Sequence, residues 1–149
     1  MPSRSELEAM VDEGHLGHEV RGILVQVPPP PLEARLAEAA LLHLRAVAFF
    51  LADPPKGDDV GALSYRPNGW TPPTREQMLG PDGAVELNKR LSHLTTRRLE
   101  PGFDWVTLLE AIPDVVAHFE AFVAALDNSW QSRFAPILVD IAAWKQART

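Results

Sequence analysis

Between Leu87 and Leu99 the chain reads Leu-Asn-Lys-Arg-Leu-Ser-His-Leu-Thr-Thr-Arg-Arg-Leu, an apolar helical stripe carrying the densest set of groups able to do chemistry. At about 100° per residue, Leu87, Leu91 and Leu94 share one face. Arg90, His93 and Arg97 crowd the flank beside it, and Asn88 and Thr95 take the opposite flank. Arg90 and His93 are three apart and His93 and Arg97 four apart, the spacings at which helical side chains touch. Guanidinium groups on either side push an imidazole toward its neutral form. That form serves as a base or an anion-binding donor near neutral pH. The same flank also reads as a solvated face or as a partner for acidic neighbours.

The elements that must position this flank are helical. From Leu32 to about Ala52 the chain is apolar almost all round, the pattern of the central helix of a bundle. His43 and Arg45 are the exceptions within it. A buried guanidinium without a partner is costly, so Arg45 must meet a carboxylate or line a cavity. Glu38 on nearly the same face, or Asp58 or Asp59 in the following connection, could serve. That connection, about 53–74, is a long Pro/Gly-rich loop of the kind usually tied to function or motion, with Tyr65 and Trp70 expected to pin it to the bundle.

Before the central helix, Ser3 or Ser5 can cap a first helix running to about Val27, with Gly14, Gly17 and Gly22 weakening or breaking it. His15 and His18 are three apart there and could share a metal with Asp12 or Glu19. Two imidazoles without a strong third ligand do not make a site, so neither metal nor cofactor is expected. After the loop, Thr74 with Gln77 forms a capping box for a short helix, and Gly80-Pro81-Asp82-Gly83 turns into the organising helix. Asp104 caps a further helix, which Pro113 must kink or divide. Asp127-Asn128-Ser129 breaks the chain before a last helix from about Trp130 to Ala147, where Pro136 sits near enough to the start to be tolerated.

The expected fold is therefore all-α: residues 1–149 as one compact bundle of about five helices. The formal net charge of −6 opposes a general nucleic-acid coat, leaving RNA or a nucleotide only a local basic patch at Lys89, Arg90, Arg97 and Arg98. With no cysteine, disulfides and thiolate chemistry are excluded. The first residues lack a signal-peptide core and no apolar run reaches the roughly 18 residues of a membrane span. A soluble, cytoplasmic chain is expected.

Three pieces together carry a resemblance. They are Leu42-His43-Leu44-Arg45-Ala46-Val47-Ala48-Phe49-Phe50-Leu51, then Asp58-Asp59-Val60, then Asn88-Lys89-Arg90-Leu91-Ser92-His93-Leu94-Thr95 followed by Arg97. Over about residues 32–126 the chain resembles a group of small uncharacterised bacterial helical proteins. In these an Arg-bearing helix leads to an Asp-Asp-Val loop and an Asn-Lys-x-x-x-His-Leu-Thr helix. That group is in turn similar to the HEPN superfamily, helical bundles that often dimerise and include metal-independent RNases of toxin and phage-defence systems. The superfamily's nuclease motif places an Arg, then four to six residues, then a His. Here Asn88, with four residues between it and His93, stands where that Arg is expected, and Arg90 is too close in sequence to fill the motif. The resemblance carries over His93 alone, with Arg90 or Arg97 as replacement phosphate clamps.

Two classes of function follow. In the first, the domain acts by self-association, as a homodimer, or by partner binding. Arg45, Asp58, Asp59, Asn88, Thr95 and His93 then form a polar network ordering the loop. In the second it is a metal-independent endoribonuclease with His93 as general acid or base and Arg90 or Arg97 stabilising charge on phosphorus. A nucleotide- or small-anion-binding regulator using the cationic flank and Trp70 is the third reading.

Overall fold

The computed structural model describes residues 2–24, 34–89 and 105–148. The described elements in chain order are α1 (Arg4–Asp12), α2 (His15–Ile23), α3 (Ala34–Ala52), a 3-10 turn (Ala62–Tyr65), α4 (Arg75–Leu79), α5 (Gly83–Leu87), α6 (Trp105–Glu110), α7 (Ile112–Ala124) and α8 (Asn128–Gln146). Among the described residues there is no strand, and the fold is all-α. The organising helix expected between Leu87 and Leu99 is described only as far as Lys89. Arg90, His93, Thr95, Arg97 and Arg98 lie outside the described residues, as does the proposed cap Asp104.

Local chemistry sets the helix boundaries. Ser3 caps α1 through a reciprocal box, its hydroxyl accepting from the Glu6 N–H while the Glu6 carboxylate accepts from the Ser3 N–H at 2.7 Å. The first helix divides at Gly14, whose φ of +83° is left-handed and open without strain only to glycine. Thr74 and Gln77 make the capping box read from the sequence. Pro113 divides rather than kinks: α6 ends at Glu110, and α7 takes the proline into its first turn, where a missing N–H costs nothing. Asp127 caps α8 by accepting from the Ser129 and Trp130 N–H groups at 2.9 and 3.1 Å.

Pro136 corrects one expectation. It is not near the start of α8 but in its ninth position, beyond the first turn, where a proline costs about 3 kcal/mol or more. The helix continues through it because Phe134, Ile137 and Ile141 on either side are buried in the core, while Pro136 itself faces outward.

One buried apolar cluster draws on every described helix, from Leu7 and Val11 of α1 to Ile141 and Trp144 of α8. At its centre Phe119, Phe122 and Phe134 are fully enclosed. Around Phe122 the rings of Phe50, Tyr65, Trp70 and Phe134 meet it edge-on, with centroids 5.4–6.0 Å away, an arrangement favoured by the ring quadrupoles. α3 is the axis of the bundle, packed against α2, α4, α5, α6 and α7. The long loop is pinned as expected. Tyr65 is buried against Trp130 and Phe134, and the Asn68 N–H donates to the Ala125 carbonyl at 2.8 Å. Burial pushes the Tyr65 hydroxyl's pKa well above its ordinary value. Among the described residues no helix is long and apolar enough to cross a membrane.

Candidate functional site

The polar exceptions on α3 point in different directions, because residues two apart on a helix lie about 200° apart around it. Arg45 faces α4, α5 and the loop; His43 faces α2. Arg45 Nε donates to Asn88 Oδ1 at 2.6 Å, joining the central helix to the residue just beyond α5. Asn88 and Lys89 wind in the wider π-helical pattern, a departure that recurs at functional sites.

One turn along α3 from Arg45, the half-buried Phe49 ring carries two guanidinium groups. Arg45 Cζ lies 4.5 Å and Arg75 Cζ 3.8 Å from its centroid, within the range of cation–π attraction. Arg75, the first residue of α4, is placed by the Thr74 cap and forks onto the Asp53 carboxylate, donating from Nε at 2.7 Å and from a terminal nitrogen to the second oxygen. Such a planar bidentate pair holds direction as well as charge. Arg45 has no such partner among the described residues; its ligand is a neutral amide. Burial, and next the adjacent Arg75, lower the pKa of Arg45, but an arginine remains protonated at any physiological pH.

These groups line an open cleft of about 610 Å³ with Pro54, Lys56, Asp59 and Gly61 at its margin. Arg45, Asn88 and Asp59, all expected in one network, border the same cleft, and of the three only Arg45 and Asn88 are joined by a hydrogen bond. Asp58 does not border it. It is exposed beside Gly57 on a separate depression shared with Glu6 and His15. Asp59 is exposed as well; Asp53 favours the charge on Arg45 through space, without a direct ion pair between the two. Glu38 is exposed on α3. Asp53, Arg75 and Phe49 were not singled out from the sequence. The legible signal was local: an acid at the end of an apolar helix, and an arginine directly after a capping threonine.

The other polar cluster read from the sequence separates. Asp12 is taken by Arg133 of α8, and His15 stands 3.5 Å from Glu13. His18 and Glu19 remain together and meet His43 of α3.

What the Arg45 cleft can do chemically is hold an anion. Three cations (Arg45, Lys56 and Arg75) face two carboxylates (Asp53 and Asp59) around it, and one of those cations is committed to Asp53. Comparison with protein-family models, with curated proteins and with solved structures finds no match to the chain.

Proposed function

We propose that this chain is a HEPN-like helical-bundle protein that works by association, as a homodimer or with a protein partner, through the cleft where Arg45 meets Asn88. The observation that carries the reading is the 2.6 Å bond from Arg45 to an amide. It fixes the guanidinium's direction without cancelling its charge, so a carboxylate brought by a second molecule completes the network. Asp53 and Arg75 frame the cleft in an already satisfied pair, so among the described residues Arg45, with Lys56 beside it, is left to select an acidic contact. Sedimentation velocity over a concentration series tests this. The wild type sediments as a dimer and Arg45→Glu as a monomer with unchanged helical circular dichroism. A wild type that is monomeric throughout and indistinguishable from Arg45→Glu overturns self-association.

One observation favours a second reading, the metal-independent endoribonuclease. Asn88 occupies the sequence position where the nuclease motif has its arginine, and the side chain bonded to Asn88 is the guanidinium of Arg45. An arginine from α3 would then replace the motif's phosphate clamp, a role first assigned to Arg90 or Arg97, with His93 moving the proton. Cleavage of single-stranded RNA in EDTA, abolished in both His93→Ala and Arg45→Ala, is the expected result. Absence of cleavage by the wild type rejects it. Binding of a free nucleotide or small anion in the same cleft would instead raise the melting temperature in a nucleotide screen.

A further inference from the structure

On the opposite side of α3, His43 Nδ1 and Glu19 Oε2 of α2 are 2.8 Å apart. The His18 ring stands edge-on to His43, with centroids separated by 5.0 Å and planes at 85°. One donor atom from each of His18, Glu19 and His43 falls within 4.8 Å of the others. The cluster has a seat built for it. Gly22 lies one turn beyond His18 and Glu19, and a Cβ there would come within 2.2 Å of the His43 ring carbons. Any other residue would drive the imidazole off the α2 backbone.

We propose that His18, Glu19 and His43 form a binding site for a zinc ion. Two imidazoles and one carboxylate are a donor set that zinc takes with a solvent molecule in its fourth position. The preponderance of nitrogen disfavours calcium and magnesium. Tetrahedral bonds of about 2.0–2.1 Å hold donor atoms about 3.3 Å apart. The His43–Glu19 pair therefore opens slightly from 2.8 Å, and a neutral His43 ligates through Nδ1 with its one ring proton on Nε2, exchanged there through solvent. His18 is exposed and free to turn inward. His18 and Glu19 also border an open cleft of about 510 Å³ with Glu13 and His15, through which solvent reaches the fourth position. Three-point ligation from α2 and α3 would clamp the two helices.

Calorimetric titration of chelator-stripped, full-length protein with zinc chloride tests the site. The expected result is one saturable equivalent per chain, accompanied by a zinc-dependent rise in melting temperature. His18→Ala and Glu19→Gln should each weaken zinc binding tenfold or more and shrink the zinc-dependent rise in melting temperature measured against each variant's own metal-free value, and His118→Ala on α7 should bind as wild type. Cobalt in place of zinc should give visible ligand-field absorption that His18→Ala removes. Absence of a saturable equivalent in the wild type, or wild-type affinity in both His18→Ala and Glu19→Gln, overturns the proposal.

Discussion

Two side chains two positions apart on α3 decide what each half of the surface can do. Arg45 bonds to Asn88 across 43 positions of sequence. A double-mutant cycle of Arg45→Ala and Asn88→Ala in urea denaturation should therefore return a coupling of about 1 kcal/mol, modest because the pair is only partly buried. His43 rests on Gly22. Gly22→Ala forces the ring away, so overpacking of about 1–3 kcal/mol outweighs the roughly 1 kcal/mol of helix propensity gained. In a His43→Ala background the obstruction is gone and Gly22→Ala should become neutral or stabilising; thermal denaturation of the four proteins checks the reversal. The sequence flagged both His43 and Arg45 as polar intrusions on an apolar helix. It grouped Arg45 with Asn88 in one expected network without making them a direct pair, and nothing local relates His43 to Gly22.

At the scale of elements, most boundaries were legible because they are set by a few adjacent atoms. The boxes at Ser3–Glu6 and Thr74–Gln77, the left-handed turn at Gly14 and the division before Pro113 all depend on neighbours within four positions. The Asp127 cap makes an electrostatic prediction. The Ser129 hydroxyl first, and then the Trp130 N–H, hold its carboxyl below the ordinary range. A lowered folded-state pKa stabilises above the unfolded value, near 3.9, and the contribution is lost as pH falls through the folded one. The melting temperature of the wild type should thus drop more steeply below about pH 4 than that of Asp127→Asn, which keeps the cap without the charge. Pro136 shows where local reasoning ends. Its tolerance depends on Phe134, Ile137 and Ile141 being buried by helices distant in sequence.

For the whole molecule, the aromatic centre ties α3, the long loop, α7 and α8 together. Phe119 is fully enclosed, about 6.0 Å from the rings of Phe122 and Phe134, so Phe119→Ala should cost about 3–5 kcal/mol in chemical denaturation. The apolar periodicity of α3, α7 and α8 was enough to establish an all-α bundle with α3 at its axis, because helical period and burial are written directly into residue order. Among the described residues the segments outnumber the expected five or so because the first helix breaks at Gly14 and Pro113 divides rather than kinks its own, and because α4 and α5 are short turns of helix on either side of Gly80. By itself the sequence determined the fold class, the capping box at Thr74 and Gln77 and the identity of the polar intruders, all consequences of local sterics and hydrophobic period. Only the tertiary structure decided that Arg45 meets an amide, that Arg75 shares its Phe49 ring, and that His43 joins His18 and Glu19. These are distances between atoms brought together by packing, and packing is settled by the whole chain at once.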